Sequence, residues 1–77
     1  MELKIRIEKD ITKFYDSMSK ISSIKDEREL KVIELSKMYA SDAKSFLDKG
    51  DLDTAFSCIS YAHGLMDAIL KLNGRIE

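Results

Sequence analysis

Apolar residues recur along this chain at alternating spacings of three and four, the period of an amphipathic helix. In the first segment the stripe is Leu3, Ile7, Ile11, Phe14, Met18 and Ile21, with Tyr15 at its edge. Ser22 and Ser23 interrupt it, because hydroxyl side chains compete for backbone hydrogen bonds. Asp26 then stands where an N-cap is expected, and Glu29, three residues on, is placed as its capping-box partner. The second segment puts Val32, Leu35, Tyr39, Ala43, Phe46 and Leu47 on one face, with Lys37, Ser41, Lys44 and Asp48 opposite. Gly50 can take the left-handed conformation that closes a helix. Asp51 follows as the next N-cap, and Asp53 adds negative charge near the positive end of the new helix. So short a connection forces the helices on either side of it to run antiparallel.

The third segment carries two apolar stripes side by side. One is Leu52, Ala55, Phe56, Ile59, Ala62, Met66, Ile69 and Leu70; the other is Cys58, Tyr61, Leu65, Ala68 and Leu72. At about 100° per residue they span an arc of roughly 240°. Only Asp53, Ser57, Ser60, Gly64, Asp67 and Lys71 keep a polar strip. A helix this apolar is central in its bundle or touches another subunit. Asn73 and Gly74 end it, and Arg75-Ile76-Glu77 reads as a frayed tail. The pattern predicts an all-α chain, a three-helix up-down-up antiparallel bundle over approximately residues 2–21, 26–49 and 51–73, in one domain spanning 1–77. Ile5, Ile24, Leu30 and Met38 fall off these stripes and read as surface apolar positions that favour an interface.

Composition sharpens this picture in two ways. At 77 residues, area scaling suggests roughly 4,500 Å² of apolar burial, worth about 110 kcal/mol at ~25 cal/mol per Å². Ordering the chain costs about 115 kcal/mol at ~1.5 kcal/mol per residue. A lone monomer is therefore marginal, and self-association is the available remedy. No disulfide framework or Cys/His metal spacing offers another, since Cys58 is the only cysteine and His63 the only histidine.

Charge excludes more than it suggests. A net charge of -1 with 35% charged residues describes a solvated globular surface. Residues 1–40 hold nine Lys or Arg against eight Asp or Glu, and residues 41–77 hold four against six. That tilt is too mild for phosphate neutralisation and argues against nucleic acid as a partner. The opening MELKIRIEKD lacks a signal-peptide core, and no apolar run approaches the ~18 residues of a membrane span. The expectation is a cytoplasmic protein with no membrane partner.

Candidate chemistry gathers on the third segment at Ser60, Tyr61, His63, Gly64 and Asp67. Ser60, His63 and Asp67 fall within roughly 60° of one another. A hydrolase triad also needs the base held between nucleophile and carboxylate beside an oxyanion hole, and nothing in the sequence marks one. No catalytic residue, resident metal or cofactor is therefore expected. His63 reads first as a structural imidazole, placed for contact with Asp67 one turn on, or with helix two or another subunit. Gly64 costs about 1 kcal/mol relative to alanine within a helix. With Ser57 and Ser60 it forms a small-residue groove, suited to close packing in the bundle or in a dimer, or to a ligand.

The run FLDKGDLDTAF followed by ISYAHGLMDAIL resembles the signature of a small, mainly archaeal family, domain-of-unknown-function family 357. The matching positions are Tyr39, Asp42, Ala43, Phe46, Leu47, Gly50, Asp51, Ala55, Phe56, Tyr61, Ala62, His63, Gly64, Asp67 and Ala68. The resemblance covers about the last forty residues well and the first helix only in general character. It implies an archaeal source and a compact helical domain, and it supplies no activity. A likeness to a single tetratricopeptide hairpin carries less, because a solenoid needs at least about three repeats.

Three readings of function follow. The first is a non-enzymatic homo-oligomeric interaction module, a homodimer or higher, associating through Cys58, Tyr61, Leu65, Ala68 and Leu72, with an unidentified protein partner as a variant. The second is a small-molecule or nucleotide site at Ser60, Tyr61, His63, Gly64 and Asp67. The third is RNA contact through Lys4, Lys9, Lys13 and Lys20.

Overall fold

A computed structural model describes residues 2–76. It contains α1 (Leu3–Asp16), α2 (Glu27–Asp48) and α3 (Leu52–Leu72), with a short 3-10 turn, Ser17–Lys20, after α1. No strand occurs among the described residues, so the chain is an all-α three-helix bundle. Its directions can be read from side-chain pairs. Tyr39 meets Tyr61 edge-on at 4.6 Å between ring centroids, and Asn73 donates to Glu29, so α2 and α3 are antiparallel. Arg6 lies over Phe56 while Asp10 meets His63, so α1 and α3 run the same way. The order is up-down-up.

The α-helical part of α1 stops at Asp16, earlier than the 21 expected. The cause is local. Ser17 Oγ donates to the Lys13 carbonyl at 3.2 Å and Ser19 Oγ to the Asp16 carbonyl at 3.3 Å. The Lys13 carbonyl still accepts a backbone amide, so these hydroxyls add acceptor competition without displacing it, and the chain tightens into 3-10 geometry at this serine-rich end. The connection then dips back to the core. Ile21 and Ile24 are both buried, so Ile24 is a core residue and not the surface apolar position its spacing suggested.

α2 is rotated relative to the stripe expected from its large side chains. Its buried line is Ile33, Ser36, Ala40 and Ala43; Val32, Tyr39 and Phe46 flank it half-buried, and Leu35 faces outward. Small residues set this line because they allow the short interaxial distance at which two helices pack. Ser36 costs little there, since its hydroxyl donates to the Ile33 carbonyl at 2.6 Å. Asp26 caps α2 as expected, accepting from the Glu29 amide at 3.0 Å. The Glu29 carboxylate accepts from Asn73 and so ties the two ends of the hairpin together, a tertiary use beyond the expected capping box.

The α2–α3 turn is a Schellman closure. Gly50 has φ +80°, its amide donates to the Leu47 carbonyl, and the Asp51 amide donates to that of Phe46. Asp51 then caps α3 by accepting from the Thr54 amide at 3.2 Å. The same device recurs at the far end, where the Arg75 amide donates to the Leu70 carbonyl at 2.8 Å around Gly74. Arg75 also donates to Ser23 Oγ, and Ile76 packs half-buried on the core. The expected fraying therefore does not extend to Arg75 and Ile76; Glu77 lies outside the described residues.

α3 is the central helix. It contributes Ala55, Ile59, Ala62, Met66, Ile69 and Leu70 to the core, facing Ile7, Ile11 and Phe14 of α1. Phe14, Ile7, Ile59, Met66 and Leu70 are fully enclosed, each stabilising the fold by roughly 1.5–3 kcal/mol through removal from water.

Candidate functional site

α3 presents two unlike flanks, and the expected site residues divide between them. On the α1 side an open groove of about 470 Å³ is lined by Phe56, Ser60, His63, Gly64 and Asp67 from α3, and by Arg6, Asp10 and Lys13 from α1. Four of the five predicted site residues are thus brought together. Tyr61 is not among them. It lies on the opposite flank against Tyr39, half-exposed.

His63 is the fixed point of the groove. Its Nε2 lies 2.7 Å from the Asp10 main-chain oxygen. A carbonyl only accepts, so Nε2 carries the proton and donates. The ring also meets Phe14 edge-on, with 5.9 Å between centroids. The imidazole thereby anchors α1 to α3, replacing the expected contacts with Asp67 or helix two. No hydrogen bond links Ser60, His63 and Asp67 among the described side chains, so the serine–imidazole–carboxylate arrangement of a hydrolase is not assembled.

Of the α1 residues of the groove, Lys13 was expected only as an RNA contact, and Arg6 and Asp10 were not singled out by the sequence reading. Arg6, Asp10 and Lys13 follow at spacings of four and three, just beside the apolar stripe, and that offset repeat was the available signal. Arg6 stacks its guanidinium 5.0 Å from the Phe56 ring centre and approaches the Asp10 carboxylate at 4.0 Å. The groove thus mixes two cations with two carboxylates. Among the described residues no three His, Cys, Asp or Glu side chains are placed to hold a metal ion.

Gly64 is exposed at the groove's outer rim, and a Cβ built there meets nothing within 4 Å. Close packing inside the bundle therefore does not explain this glycine. On the other flank the stripe expected to form an interface is only partly covered. Cys58 and Leu65 are half-buried against α2, whereas Tyr61, Ala68 and Leu72 are open. Leu72 is 78% exposed and Tyr61 51%. Burial raises the Cys58 thiol above its ordinary range, and the Asp42 and Asp51 carboxylates raise it further. The thiol form is therefore favoured near neutral pH.

These features define a small helical bundle whose central helix carries a polar groove on one side and an uncovered apolar face on the other. The chain belongs to the family described as Protein of unknown function (DUF357), which matches residues 6–74. The match takes in nearly all of α1 and the whole hairpin, a wider span than the last forty residues on which the resemblance was drawn. No curated protein matches the chain. No helix among the described residues is long and apolar enough to cross a membrane.

Proposed function

We propose that this chain is a non-enzymatic helical interaction module that works as a homodimer, associating through the face shared by α2 and α3 on the side away from α1. One observation carries the reading. Met38 and Leu35 of α2 stand 61% and 37% exposed, and with the open positions Tyr61, Ala68 and Leu72 of α3 they leave five apolar side chains uncovered on the hairpin, with the Asp42 carboxylate near Cys58. The antiparallel register fixed by Tyr39–Tyr61 and Glu29–Asn73 sets Leu35 beside Leu65. Exposed apolar side chains grouped on one pair of helices favour an interaction surface on a small protein. The near-zero folding balance supplies a thermodynamic reason for a partner.

Sedimentation equilibrium tests it. The parent chain, 8.8 kDa as a monomer, is expected to run at twice that mass. Leu72→Asp combined with Met38→Glu is expected to run as a folded monomer, since both positions are exposed. A parent that stays monomeric up to about millimolar concentration, where even a Kd near 1 mM would register, would remove this function.

The groove supports a second reading, a binding site for a small molecule carrying both charges. Its anionic end would meet Arg6 and Lys13, and its donor end Asp67 and Ser60. A ligand present at 100 times its Kd stabilises the fold by about 2.7 kcal/mol. Thermal shifts that persist unchanged in Arg6→Ala and Asp67→Asn would place the binding elsewhere.

A further inference from the structure

The dimer reading leaves Gly64 unaccounted for, and the outer line of α3 accounts for it. Directly opposite the buried side of α3, at successive spacings of four, three, four and four, stand Ser57, Tyr61, Gly64, Ala68 and Leu72. All five are exposed, and none is charged. Charged residues on the rest of the exposed surface, Asp53, Asp67 and Lys71, stay to one side of this line. It is a second helix-packing seam on a helix whose first seam is already buried in the monomer.

The seam is self-complementary in one arrangement. Its two smallest members, Gly64 and Ala68, sit at equal distances either side of Met66; its two bulky members, Tyr61 and Leu72, flank that same point. Laid against a copy of itself in the antiparallel sense, Gly64 meets the partner's Ala68 and Tyr61 meets the partner's Leu72. Small faces small at the centre, allowing the axes to approach toward the short end of the usual range, about 8 Å. Large side chains close both ends. An isologous contact requires this exchange, each residue of one copy meeting the other's counterpart in both directions.

Resting on the homodimer reading above, we infer that the partner is a second copy of this chain, with α3 crossing α3 antiparallel about a two-fold axis on the outer face of α3, between Gly64 and Ala68 and level with the buried Met66. α3 is 21 residues long, about 30 Å, and with α2 beside it the face is about 18 Å wide, roughly 540 Å² per partner; this is below the ~800 Å² of a standard stable complex and fits a weaker, concentration-dependent dimer. Leu35 and Met38 lie at the margin of this contact, where the partner's α3 end and α2 extend the apolar surface.

Two variants test the register separately from the face. Gly64→Leu fills the central hole from both copies at once. The side chain has open space in the monomer, and leucine favours helix over glycine, so the fold is retained and circular dichroism checks this. Overpacking at two symmetric positions is expected to raise the dimer Kd about 100-fold or more. In a Cys58→Ser background, Ala68→Cys is expected to form a disulfide-linked dimer on mild oxidation, its two copies lying ~6 Å apart along the axis. Ser57→Cys is expected not to link, since its copies lie ~27 Å apart.

A parent dimer broken by Met38→Glu with Leu72→Asp, yet unaffected by Gly64→Leu, would keep the face and overturn the crossing. Linking through Ser57→Cys would show a parallel pairing and overturn it too. A monomeric parent would overturn both the crossing and the homodimer it rests on.

Discussion

The two flanks of α3 are built from the same helix and do opposite things with it. Toward α1, the flank is polar and finished. His63 spends its ring proton on the Asp10 carbonyl, Phe56 lies under Arg6, and Phe14 seals the join from beneath. Toward the outside of the α2–α3 pair, the flank is apolar and open, with Tyr61 and Leu72 mostly in water. One side spends its chemistry holding the monomer together, and the other keeps surface that the monomer does not use. A single histidine in an otherwise apolar helix invites a catalytic reading. Here the more informative residues are the uncharged, exposed ones on the other side.

This contrast can be broken at its strongest point first. Phe14→Ala removes a fully buried ring that touches both His63 and Tyr15 and should cost about 3–5 kcal/mol. Given a marginal bundle, urea denaturation followed by circular dichroism should find the variant largely unfolded at room temperature. A loss under about 1 kcal/mol would mean that α1 contributes little to the core.

The next comparison sets one flank against the other directly. His63→Ala should lower monomer stability by about 1–2 kcal/mol through the lost hydrogen bond and ring contact, leaving self-association untouched. Tyr61→Ala should do the reverse: a small loss in dilute unfolding, and a dimer weakened about tenfold. Matching profiles for the two variants in paired denaturation and sedimentation would erase the distinction between the flanks.

The smallest effect concerns Cys58. Its thiol is held above the usual range by burial first, then by Asp42 and Asp51, so its thiolate fraction at neutral pH is lower than that of a free cysteine. Asp42→Asn removes one raising influence and lowers the folded-state pKa. Labelling by a thiol reagent between about pH 7 and 8.5 should then quicken a fewfold. An unchanged rate would leave access, and not charge, in control of the thiol.

Much of this architecture was legible from spacing alone. The antiparallel hairpin followed from Gly50 and Asp51, whose roles are local and depend on φ and one side-chain oxygen. The third helix's two stripes foretold both its central position and its uncovered side. Helix two was misread because large side chains dominated the pattern. Ile33, Ser36, Ala40 and Ala43 form the true contact line, and the smallness of the last three lets the axes come together. Ile24 was misplaced because a connection without helical period gives spacing nothing to measure. The groove was legible on α3, while on α1 only Lys13 was named, and for a different role, since pairing Arg6 with Phe56 requires knowing the offset between two helices distant in sequence. His63 could be picked out as unusual, but its partner could not.

That partner has a consequence for how the protein can change. His63 grips the peptide oxygen of residue 10 and not the aspartate side chain. Every residue carries that oxygen, and any that keeps α1 helical at position 10 would present it in the same place, so the tie survives substitution on one side only. Drift at position 10 is tolerated while position 63 is held, and the Phe14 ring is the α1 side chain whose identity this histidine can feel.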